Sequence, residues 1–286
     1  MATADEVSAL RDYRCKFEPL VNEYVEDLLA EIGQDLVREQ IQSLVFTPND
    51  VLPKRETRPH LKGTFFTDQL YRAHAETTED AEDLLKFALV HQEHWDVADD
   101  VFDGDVTSGA GPEVYLTSQA LQPLLVRLLG RLGEDAVSYW AGQTTRMISG
   151  WFEELRKEPS WNAYATVLDR HAEYYGALTG LAALIAGGDK STVADAEQVG
   201  RTYFKFEQVL LDVDQHREGD ADPWNARQLM SEEEVLRFVH EWRGDITDYL
   251  AGLPDVQSAR LRPLVDFDVE TWIETGNRIA DQNERH

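Results

Sequence analysis

Residues 81–107, AEDLLKFALVHQEHWDVADDVFDGDVT, constrain this chain more than any other stretch, because an apolar pattern at helical spacing runs straight into a dense set of carboxylates. On a helix Asp99 and Asp103 stand about one turn apart with Asp100 beside them, so DDVFD offers several hard oxygen ligands to one cavity, the donor set magnesium prefers. Gln92 lies two turns before Asp99 and Trp95 one turn before it, which lines up an amide, an aromatic ring and the carboxylates. A ligand with a charged head and an apolar tail fits such a face. His91 and His94 flank Gln92 but fall off the Asp99 face, so packing is expected of them rather than metal binding.

The densest positive charge lies just upstream. Pro48, Pro53 and Pro59 make residues 47–63 a loop and a helix start, and Lys54, Arg55 and Arg58 sit within it. The chain has only seven lysines, so this cluster stands out and suits an anion such as a diphosphate. Pairing with the abundant carboxylates is the alternative role.

Taken together, KRETRP at 54–59, Gln92 seven residues before Asp99, and DDVFDGDVTSGAGPEV resemble the trans-isoprenyl diphosphate synthases of the polyprenyl synthetase family. The resemblance implies an all-α fold, an isoprenoid synthase-type helical bundle around a central cavity, with residues 1–286 as one domain. It also implies a Mg2+-dependent prenyltransferase that condenses an allylic diphosphate with isopentenyl diphosphate. Asp99, Asp100 and Asp103 would be its catalytic metal ligands, joined by Asp212 from FEQVLLDVDQHREGD, where Gln208 aligns with a substrate-binding glutamine. Arg55 and Arg58 match the spacing of a Lys and an Arg that hold isopentenyl diphosphate, with Lys54 one residue out of register and Gln92 alongside. Trp95 would form the floor that keeps the product short. A homodimer, or a heteromer with a complete synthase, is the implied assembly.

Several positions depart from that pattern. Ser108 and Gly109 replace an Arg pair, Leu211 and Gln215 replace two aspartates of the second motif, and the lysine of a Lys-Thr pair near Tyr174 and Tyr175 is lost. Two other readings therefore stand beside elongation. One is a class I cyclase-like enzyme; the other is a catalytically impaired member that binds a prenyl diphosphate or partners an active synthase.

The formal net charge is −27, with 54 acidic against 27 basic residues, which argues against nucleic acid or an anionic membrane as partner. Acidity spread along the whole chain points to a surface adapted to high salt, and a halophilic archaeon is the expected source. The N-terminal MATADEV has no basic region leading into an apolar stretch, and no run is long enough to span a bilayer, so a cytoplasmic protein is expected. The single cysteine, Cys15, excludes an internal disulfide and is expected in the core. Helical spacing is sustained nearly throughout, from two helices meeting near Gly33 to a small-residue run, YYGALTGLAALIAGG, suited to close helix packing. The stretch from Trp140 to Trp151 is expected to be mostly buried.

Overall fold

Helix-forming stretches separated by short breaks dictate the element order. The structure, a computed structural model, describes residues 2–52, 61–76, 81–219 and 221–269. Lys54, Arg55, Arg58 and Trp272 lie outside the described residues. The helices are α1 Ala4–Ala30, α2 Asp35–Val45, α3 Leu61–His74, α4 Ala81–Asp103, α5 Gly111–Leu132 and α6 Glu134–Glu154. They continue as α7 Trp161–His171, α8 Glu173–Ile185, α9 Lys190–Arg217, α10 Ala226–Leu229, α11 Glu232–Ala251 and α12 Asp255–Leu261, with a 3-10 turn at Arg262–Leu264. No strand occurs among the described residues, as the helical periodicity predicts. No helix among them is long and apolar enough to cross a membrane.

Local chemistry sets the boundaries. Asp189 caps α9 by accepting from the Thr192 amide, and Ser231 and Glu234 close a reciprocal capping box at the start of α11. Gly104 ends α4 at φ 78°, a left-handed conformation that costs glycine nothing and other residues a clash at Cβ.

The described residues gather into two compact units that interleave along the chain. Of these, residues 15–52, 61–68 and 81–137 form one, and residues 2–14, 69–76, 138–219 and 221–269 form the other. In the first, α4 is buried on every side from Leu84 through Trp95, so it is the central helix of that unit. Leu84, Leu85, Phe87 and Leu89 fill its core together with Leu121, Leu125 and Leu128 of α5, against which α4 packs. Lys86 enters this interior only because Asp27 at 2.9 Å and Glu82 at 2.6 Å accept its ammonium protons. Phe17 of α1 meets Phe65 of α3 edge-to-face, with ring centres 5.6 Å apart.

In the second unit α9 is the spine, packed by α8 on one side and by α11. Phe206, Val209, Leu210 and Val213 point from it into the core. Two expectations change. Cys15 is exposed, because its stripe of α1 turns to solvent while Phe17 and Val21 turn inward. The Trp140–Trp151 stretch is mostly half-buried or exposed, since only Gln143, Met147 and Gly150 of it face the core.

Candidate functional site

The acidic end of α4 grows directly out of the core. At 100° per residue, Gln92, Asp96, Asp99, Asp100 and Asp103 fall within an arc of about 100° over some three turns. Burial falls along that face: Gln92 is fully buried, Asp96 and Asp100 are half-buried, and Asp99 and Asp103 are exposed. The face therefore runs from an apolar floor to an accessible rim. Asp96, one turn below Asp100, escaped the sequence reading although the i, i+4 spacing was there to find it.

Trp95 lies under the rim at 8% exposure, with the His94 ring 4.6 Å from it and the His91 ring 6.4 Å away. His94 serves packing: its Nδ1 donates to the Ser118 carbonyl at 2.9 Å, and burial lowers its pKa, keeping the ring neutral. That bond ties α4 to α5.

The chain on either side of the basic segment is fixed to α4 and the turn after it. Gln92 donates to the Thr64 hydroxyl at 2.7 Å, holding the first turn of α3 on α4. Beyond the rim, the Thr107 amide donates to the Val51 carbonyl at 3.0 Å and its hydroxyl donates to the Asp50 carbonyl. Asn49 closes the same loop by accepting from the Val51 and Leu52 amides, each at 3.0 Å. The residues leading into the basic segment are thus held to the turn after α4, and those leaving it to Gln92.

The second predicted metal helix looks different. Asp212 is 4% exposed, and its carboxylate accepts from the Tyr164 hydroxyl at 2.7 Å, the Ala226 amide at 2.8 Å and the Gln208 amide at 3.1 Å. Asn225 donates to its backbone carbonyl at 2.8 Å. Burial raises the Asp212 pKa to about 6 against these donors. Leu211, 44% exposed, and Gln215 occupy the outward positions of this face. Tyr164 and Ala226 carry no signal in the local sequence, because they come from other helices.

Among the described residues no group of three or more His, Cys, Asp or Glu side chains is assembled as a metal centre. The α4 rim suits a magnesium ion by the chemistry of its donors, hard carboxylate oxygens on one face, of which those of Asp99 and Asp103 are exposed. Asp212 does not fit in the same way, having three protein donors on its two oxygens.

Neither a family model nor a curated protein matches the sequence. Solved structures do. An FPP/GFPP synthase from Zymomonas mobilis is 12% identical at a TM-score of 0.73, with 92% of this chain and 99% of that one covered. A geranylgeranyl pyrophosphate synthetase from the archaeon Geoglobus acetivorans is 16% identical at 0.70, covering 95% and 99%. A polyprenyl synthase from Caulobacter crescentus CB15, complexed with calcium and isoprenyl diphosphate, is 16% identical at 0.69, covering 94% and 98%. At such identities the likeness establishes the fold: this is an all-helical chain with the architecture of isoprenoid synthases.

Proposed function

We propose that the chain is a prenyltransferase that joins an allylic diphosphate to isopentenyl diphosphate, with Mg2+ held by Asp99, Asp100 and Asp103. The observation that carries this reading is the rim of α4, where carboxylates, two of them exposed, follow a buried stretch and the flanks of the dense basic segment are anchored to the same helix and its turn. Bound magnesium would supply Lewis-acid charge to the departing diphosphate. Lys54, Arg55 and Arg58 would hold the diphosphate of isopentenyl diphosphate, as guanidinium and ammonium groups hold phosphate oxygens. The buried stretch of α4 below the rim keeps water from the allylic cation while the isopentenyl double bond attacks it. A proton then leaves to the released diphosphate.

A binding role without turnover is the second reading. It rests on Asp212, whose oxygens are committed to protein donors, and on the neutral Leu211 and Gln215 beside it. One assay separates the two. The full chain is incubated in high salt with magnesium, labelled isopentenyl diphosphate and allylic diphosphates of several lengths. Label in a prenyl product supports elongation; retained ligand with no product supports the binding role; diphosphate release without isopentenyl diphosphate supports a cyclase and overturns both.

Chain length gives a further prediction. Trp95 lies four residues below Asp99, about 6 Å along the helix axis, so it limits the space under the metal rim. Trp95→Ala should shift the product toward longer chains, read by chromatography of the dephosphorylated alcohols. An unchanged product distribution removes Trp95 from the floor. The same change deletes a buried ring and should cost about 3–5 kcal/mol of stability, which urea denaturation measures.

A further inference from the structure

The two acidic helices share one register and use it in opposite ways. On α4 the positions i, i+3, i+4 and i+7 are Asp96, Asp99, Asp100 and Asp103; on α9 they are Gln208, Leu211, Asp212 and Gln215. The i+3 and i+7 positions are exposed on both helices. On α4 they carry carboxylates, and on α9 a leucine and an amide. The one carboxylate of the α9 set is turned inward.

We infer that Asp212 is not a metal ligand but the hydrogen-bond acceptor that ties α7 and the start of α10 to α9, leaving divalent ions to the α4 carboxylates. The inference takes its metal from the proposed function. An ionised carboxylate has about four lone-pair positions. On Asp212, Tyr164 and the Ala226 amide fill those of Oδ2, and Gln208 takes one on Oδ1. Each donor reaches Asp212 from a different part of the second unit: Tyr164 from α7, Gln208 from one turn earlier on α9, and Ala226 from the first turn of α10. Asn225 extends the lock, since its side chain donates to the Asp212 carbonyl and accepts from the Arg227 amide that begins α10. A metal held by both oxygens of Asp212 would displace these donors and leave them buried without acceptors, and the one position left, on Oδ1, lies in a site with 4% exposure.

The test uses the full chain and manganese with inorganic diphosphate, read by electron paramagnetic resonance, alongside thermal melting without metal. Asp212→Asn replaces one acceptor oxygen with an NH2 donor that faces donors, so it should lower the melting temperature by about 5 °C or more while leaving manganese affinity within about twofold. Tyr164→Phe deletes one donor and keeps the ring that stacks on Trp161 at 5.5 Å, and it should act in the same direction but less. If Asp212→Asn does not fold, Tyr164→Phe carries both readouts. A tenfold loss of manganese affinity in Asp212→Asn with unchanged melting overturns the inference. So does tighter binding in Tyr164→Phe, which frees a lone pair of Asp212. Should the wild-type chain bind no manganese, the metal reading of α4 fails, and melting alone then decides whether Asp212 is the lock.

Discussion

Replacing Asp99 by Asn should reduce prenyl transfer by on the order of 10²- to 10³-fold and leave the melting temperature unchanged or raised. The two effects have opposite signs for one reason. The C-terminal end of a helix carries negative partial charge, and a carboxylate there is disfavoured by about 0.3–1 kcal/mol. The last turn of α4 has no basic residue, and Asp96, Asp99, Asp100 and Asp103 stand at repelling i, i+3 and i, i+4 spacings. A helix end built for stability would carry lysine or arginine. Under the proposed function, that charge is the cost in stability of holding a cation at the rim. Magnesium with diphosphate should therefore raise the melting temperature of the wild-type chain and raise it much less in Asp99→Asn. Product formation measured with labelled isopentenyl diphosphate checks the activity. Full activity in the variant, or a melting temperature many degrees lower, would make Asp99 a structural residue and sink the reading.

How far a sequence exposes such a site depends on whether the partners are local. The α4 face was legible because helical periodicity alone places Gln92, Asp99, Asp100 and Asp103 on one side, and the apolar run before them foretells the buried floor. Residues 4–45 likewise resolve into two helices where Gly33 interrupts the stripe. Asp212 shows the limit. Its spacing from Gln208 is right for a shared ligand set, but Tyr164 lies 48 residues away and Ala226 is 14 residues on, and those donors decide what the carboxylate does. Cys15 misleads for a related reason, since a short apolar side chain on a helix says nothing of which stripe the neighbours bury. The run YYGALTGLAALIAGG did announce close packing of α8. What it concealed was that a glycine there makes room for a polar group: a Cβ on Gly180 would collide with the Tyr139 hydroxyl and force that side chain to move.

That tyrosine opens onto a charge cluster from which the second large effect follows. Tyr139 and Gln143 of α6 donate to Glu197 at 3.1 and 2.7 Å. Arg146 pairs with Glu173 and reaches Glu197 at 3.5 Å. Arg201 of α9 lies 3.4 Å from Glu173, 3.8 Å from Glu197 and 3.0 Å from Asp169, and Lys205 holds Asp169 at 2.6 Å. Three carboxylates meet three cations inside a chain of net charge −27, so the cluster is balanced and its buried members are poorly screened by salt.

Arg201→Met keeps the aliphatic stem but leaves Glu173, fully buried, with Arg146 as its one cationic partner among the described residues, and should cost about 3–5 kcal/mol at pH 8. The loss should shrink on acidification. Burial raises the Glu173 pKa to about 7 against the pull of Arg201 and Arg146, whereas in the unfolded chain it titrates near its ordinary 4.5. Between those values the folded state binds the extra proton, so stability is gained as pH falls from about 8 toward 5 and lost as pH rises through 7. Without Arg201 the carboxylate is harder still to ionise, and protonation relieves more. Glu173→Gln supplies the control: an amide needs no charge compensation, so the variant should lose less than Arg201→Met at pH 8 and show a flatter profile from pH 5 to 8. Urea denaturation of the three chains at pH 5, 6, 7 and 8 measures both slope and offset. A loss in Arg201→Met that stays constant over this range would mean that water, rather than the two arginines, solvates Glu173.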